Sequence, residues 1–157
     1  MAEEKHLDIT NYCTKIMLKY RTDKFKIDEF FVSENTFPKS KKLQTWIQVG
    51  VDTQQHLLAV RIRIIFSDNK ETPYLAFQMT CMFIIEAESW ETYIHEGVKL
   101  VIPREDLIIL FRQAYETTRG ALWAKTLDLG KQDIILPDAD MEQICKENFI
   151  YQLNTEK

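Results

Sequence analysis

The residues of this 157-residue chain that could do chemistry are three histidines, three cysteines and several close carboxylate pairs. His6, His56 and His95 stand singly, none within a helical turn of a second His or Cys, so a zinc site would have to be assembled from distant segments. Glu86 with Glu88, and Asp138 with Asp140, have the residue types of a general acid and base. At two-residue spacing in a strand or at a helix start, they have simpler structural roles. Cys81 falls in the middle of an apolar strand face, with no neighbour in sequence to depress its thiol, which suits packing better than nucleophilic use. Gly50, Gly97, Gly120 and Gly130 stand alone, so there is no GxGxxG, GxxxxGK[ST] or GxSxG element, and HExxH is also missing. The expectation is therefore no catalytic residue, no metal site and no cofactor.

Composition narrows the remaining classes. The chain is 45% hydrophobic, enough for one domain spanning residues 1–157 with a real core. A net charge of -4 is far from the cationic excess of a nucleic-acid binder, and charge alone names no partner. The start, Met1-Ala2-Glu3-Glu4-Lys5-His6, lacks the apolar run of a signal peptide. No segment approaches the roughly 18 apolar residues that span a bilayer, so no stable membrane insertion and a cytoplasmic location are expected. Cys13, Cys81 and Cys145 are odd in number and far apart, which suits reduced thiols.

The elements that must position any site run strands first, helices second. Ile16, Leu18 and Tyr20 alternate, and Phe25 with Ile27 resumes the alternation, predicting one long bent strand or two short ones. The basic stretch Lys39-Ser40-Lys41-Lys42 reads as a solvated loop, followed by a strand from Leu43 through Trp46, Ile47 and Val49 toward Val51. Leu58, Val60, Ile62, Ile64 and Phe66 face one way with Arg61 and Arg63 on the other. After a turn at Ser67-Asp68-Asn69-Lys70, a fourth strand over Tyr74 to Glu86 is apolar on both faces, which calls for helices on one side of the sheet and a further subunit on the other. A long connection from Glu88 to Ile102 carries Trp90, Tyr93, His95 and Gly97.

Pro103, Glu105 and Asp106 open a helix whose stripe is Leu107, Leu110, Phe111, Ala114 and Thr118, widened by Ile108, Ile109 and Tyr115. Gly120 is read as its end or a kink, with Ala121, Leu122, Trp123 and Ala124 beyond. A last helix begins at Asp140, capped by that carboxylate, with Gln143 three residues on and Met141, Ile144, Cys145 and Phe149 as its buried stripe. Strands then helices, without alternation, define an α+β domain and exclude doubly wound nucleotide folds.

The positive signal is aromatic and apolar surplus, with Trp46, Trp90, Tyr93 and Trp123 near element ends or in connections, where such side chains line grooves for other chains. Together with Leu122 they form the expected polypeptide-binding set.

From Ile102 on, a proline, a long apolar helix ending Thr117-Thr118-Arg119-Gly120, an extended connection, and Ile135-Leu136-Pro137-Asp138-Ala139-Asp140-Met141-Glu142-Gln143 before a short helix resemble the C-terminal part of SecB-type export chaperones. The preceding strands and the crossover from Trp90 to Val101 are similar in order. The resemblance implies a four-stranded antiparallel sheet with two helices on one face, assembled as a dimer of dimers. It further implies ATP-independent holding of unfolded polypeptide in apolar grooves, with Trp90 and Tyr93 at the groove. A translocase motor is an implied further partner. The export members are strongly acidic, however, whereas this chain is modestly so and carries Lys15, Lys19, Lys24 and Lys26, so one dedicated client such as an antitoxin fits as well as general export.

Two other readings use the same elements. One is a SecB-like scaffold serving as an assembly partner, its grooves filled by its own side chains. The other is a small hot-dog-like thioester enzyme, which would need a carboxylate at a narrow tunnel between subunits, and neither Glu105 nor Asp106 suggests one beyond its helix-start role.

Overall fold

The computed structural model describes residues 17–34, 42–130 and 134–153. Four strands, β1 (Tyr20–Val32), β2 (Lys42–Asp52), β3 (Leu57–Ser67) and β4 (Pro73–Ile85), form an antiparallel sheet in the order β1-β4-β3-β2. α1 (Ala87–Tyr93), β5 (Ile94–His95) and β6 (Lys99–Ile102) follow, then α2 (Arg104–Asp128), α3 (Met141–Ile144) and β7 (Phe149–Gln152). β5, β6 and β7 make a second, small sheet in that order. The architecture is the expected α+β one, a four-stranded antiparallel sheet with its helices packed on one face.

The strand periodicity explains the layers. Leu58, Val60, Ile62 and Ile64 on β3 pair with Phe83, Cys81, Met79 and Phe77 on β4, and all eight side chains are buried, on the face against which α2 packs. Full burial of one such side chain contributes about 1.5–3 kcal/mol. β1 keeps the same apolar face through two register shifts, between Thr22 and Lys24 and between Ile27 and Glu29. Its apolar residues step by three at these places, from Thr22 to Phe25 and from Ile27 to Phe30. Each bulge absorbs the extra residue, so Tyr20, Phe25, Ile27, Phe30 and Val32 share one side. One long strand, not two, is the result.

Several boundaries differ from the sequence reading. Gly120 does not end the long helix: α2 continues through Leu122, Trp123 and Thr126 to Asp128, because Leu122 and Thr126 extend the buried stripe past it. The connection from Glu88 to Ile102 is ordered as α1 and the β5–β6 hairpin, turned at Glu96 and Gly97, which both take positive φ. The last helix is a single turn. Asp140 caps it, accepting from the Glu142 amide at 3.0 Å, but Ile144 is exposed and Phe149 lies in β7, where it pairs with Ile102. The segment with Lys15 and Ile16, and Lys39 to Lys41 of the basic stretch, lie outside the described residues, as do His6 and Cys13.

Candidate functional site

The groups with catalytic types are tied into structure. The Glu88 carboxylate accepts from Lys19 Nζ at 2.7 Å, Asp138 pairs with Arg119 at 2.8 Å, and Asp106 accepts from the Tyr93 hydroxyl at 2.6 Å. Burial, and then that contact with Asp106, hold the Tyr93 hydroxyl well above its ordinary range. Burial pushes the Cys81 thiol up to about 11, so it is a neutral packing group. Among the described residues no three His, Cys, Asp or Glu side chains converge as metal ligands, and no helix is long and apolar enough to cross a membrane.

The five residues expected to contact polypeptide separate into two groups. Trp90 (3% exposed), Tyr93 (2%) and Leu122 (0%) belong to the core. The Trp90 ring is covered by His56, stacked 4.8 Å away and nearly parallel, at the end of the β2–β3 hairpin. Trp46 and Trp123, by contrast, are each 44% exposed. The crossover aromatics therefore hold α1 against the sheet and do not stand at the surface.

Trp46 sits on the side of the sheet away from the helices. Its directly paired neighbour across β3 is Arg63, followed by Gln78 on β4 and Glu29 on β1. The next row is Gln48, Arg61, Thr80 and Lys26. Trp46, Gln48, Arg61, Arg63, Ile65 and Gln78 surround an open depression of about 390 Å³. A smaller one of about 160 Å³ continues along Gly50 and Ala59.

On the helix side of the same strand, Val49 walls a second large depression of about 350 Å³, completed by Leu107, Phe111, Ile144, Phe149 and the residues from Cys145 to Asn148. Arg104 holds the Cys145 to Asn148 segment in place, its Nε donating to the Cys145 carbonyl at 2.6 Å and its backbone amide to Asn148 Oδ1 at 2.9 Å. Tyr115 and Arg119 hold the approach to α3, donating to the carbonyls of Pro137 and Leu136 at 2.7 and 3.0 Å.

β2 thus lies between two depressions, one on each face. It is also an end strand: among the described residues its side away from β3 pairs with no strand. Sequence periodicity placed Trp46 and Val49 in one strand. It carried no sign that this strand is the edge, because edge position depends on the sheet order.

The arrangement defines a small α+β domain with an open, strand-flanking surface. No protein-family model matches the chain, and no curated protein matches it in sequence. Among solved structures, one similar in fold is a Mycobacterium tuberculosis SecB-like chaperone in complex with a ChAD peptide from the HigA1 antitoxin. It has 14% identity and a TM-score of 0.46 over 77% of this chain and 91% of that one. A second is a protein of unknown function from Streptococcus agalactiae, with 9% identity and a TM-score of 0.40 over 78% of this chain and 100% of that one. These likenesses concern chain architecture alone.

Proposed function

We propose that this protein binds extended, non-native polypeptide non-covalently and without ATP, holding it along β2. The observation that carries the reading is the placement of β2: a strand edge with no strand partner among the described residues, with a depression on each of its faces. An extended chain added there gains main-chain hydrogen bonds from the edge and pockets for alternate side chains, the two elements of strand-addition recognition. Backbone pairing is itself indifferent to sequence, so discrimination among clients falls to the side chains on the two faces. Trp46 borders the depression on one side of the strand and Phe111 that on the other.

The same reading gives the protein a second copy of itself as a partner. Ile109, Glu116, Gly120, Trp123 and Leu127 fall within about 40° of one line along α2, on the face turned from the sheet. Ile109, Trp123 and Leu127 are exposed there, and a side chain at Gly120 would meet nothing within 4 Å. Covering this stripe with another α2 removes apolar surface from water and leaves β2 open for client.

The test is capture of a chemically unfolded chain, scored by light scattering, together with binding of a labelled extended peptide and of the same peptide N-methylated at every second residue. Capture of unfolded but not native chain, with N-methylation on one parity abolishing peptide binding, is expected. Equal binding of the methylated and unmethylated peptides would exclude strand addition.

A further inference from the structure

We infer that the segment held along β2 is an acidic one of alternating pattern, with carboxylate side chains on the Trp46 face and aliphatic side chains on the opposite face. This inference rests on the strand-addition reading and names its client class.

The chain as a whole carries a net charge of -4, yet its charges are sorted by face. The side of the sheet away from the helices presents Arg21, Lys24 and Lys26 from β1 and Arg61 and Arg63 from β3, placed there by the strand register. The carboxylates among them are Asp28 and Glu29, with Asp23 in the neighbouring bulge. Asp52, at the end of β2, is occupied by the amides of Gln54 and Gln55. Cations are therefore in excess on this face, and the compensating negative charge of the chain lies elsewhere.

The ion pairs on the face are loose. Lys26 and Arg61 both approach Asp28 at 3.9 Å, and Arg63 approaches Glu29 at 3.6 Å. Asp28 is engaged more closely by the Thr80 hydroxyl, which donates to it at 2.5 Å. Arg61 and Arg63 stay about half exposed and border the depression beside Trp46. Strands lie about 4.8 Å apart, so a strand added at β2 runs roughly 10 Å from the β3 backbone. Glutamate and arginine side chains standing on the same face span that separation between them.

On the opposite face the depression beside the added strand is lined mainly by apolar side chains, Val49 with Leu107, Phe111, Ile144 and Phe149, together with Cys145, Lys146, Glu147 and Asn148. Successive side chains of a strand point to opposite faces, so one segment meets both surfaces only if acidic and aliphatic residues alternate. The free backbone edge favours a polypeptide over a nucleic acid. A polynucleotide has no amide and carbonyl row to pair with β2.

The experiment compares three labelled probes on the intact chain: an alternating Glu-Leu peptide about the length of β2, an alternating Lys-Leu peptide, and a single-stranded oligonucleotide. Charge variants are Arg61→Glu with Arg63→Glu, and Arg61→Gln with Arg63→Gln in case reversal beside Asp28 and Glu29 disturbs folding. We expect the Glu-Leu peptide to bind at least about tenfold tighter than Lys-Leu. The Gln pair should erase that preference, the Glu pair should invert it, and salt near 1 M, where the screening length is about 3 Å, should reduce it. Equal binding of both peptides, insensitive to the arginines, would overturn the acidic preference and leave strand addition standing. Binding of the oligonucleotide alone, lost in the arginine variants, would make the face a nucleic-acid site and overturn the inference. No binding of any probe would overturn both the inference and the proposed function.

Discussion

Trp46 and Arg63 are direct cross-strand partners on the open face of the sheet, each about half exposed and both bordering one depression. An aromatic ring on the end strand beside a guanidinium on its neighbour is a common composition for a binding hot spot. Trp46→Ala should leave stability within about 0.5 kcal/mol, as befits a surface position, and weaken binding of extended peptide by about 30-fold. Thermal melts and fluorescence anisotropy on the same preparation separate the two effects.

Trp90→Ala should show the reverse. Its ring is buried between His56 and Tyr93, so truncation opens a cavity and costs about 3–5 kcal/mol of stability. Client affinity, measured at a temperature where the variant is still folded, should change little.

Tyr93 ties α1 to the first turn of α2 through Asp106. Tyr93→Phe keeps the ring and removes the donor, so the expected loss is about 1 kcal/mol, seen as a Tm lower by about 2–4 °C for a chain of this size. A change in peptide affinity without a change in Tm would contradict this structural role.

Cys81 gives a pH dependence with a definite sign. The folded state holds its thiol neutral, with a pKa of about 11 against an ordinary value of 9.0. The contribution is complete below pH 9, where the unfolded thiol is also protonated. It is lost as pH rises through 11, since only the unfolded chain readily forms the thiolate. Urea midpoints measured across that interval should fall with pH, and Cys81→Ala should flatten the fall.

Gly120 lies inside α2 with open space around it. Gly120→Ala should raise the stability of the isolated chain by about 0.5–1 kcal/mol, since glycine in a helix interior is destabilising by that amount. If a second α2 packs on the Ile109, Trp123 and Leu127 stripe, Gly120→Leu should reduce the mass seen by light scattering while leaving helix content unchanged.

Much of the fold is legible before any coordinates. Val60, Ile62 and Ile64 alternating with Arg61 and Arg63 can only be a strand with one buried face, and Pro103-Arg104-Glu105-Asp106 marks a helix start by local chemistry. The β7 strand was not legible: Phe149 sits at helical spacing from Cys145, and only its pairing with Ile102 makes it extended. The candidate site was half legible. Of the side chains read as groove-lining, Trp46 and Trp123 are exposed, whereas Trp90, Tyr93 and Leu122 read the same way and lie in the core.

The sequence by itself determined which side chains share a strand face, where the helices begin and that no catalytic motif is present, because these follow from periods of two and 3.6 residues and from short-range capping. The tertiary structure alone decided that β2 is an edge, that two bulges keep β1 in phase, and that the cations gather on the open face of an acidic chain. Periodicity fixes a side chain's direction relative to its own strand. Edge position, solvent exposure and charge density depend on which segments pack beside it.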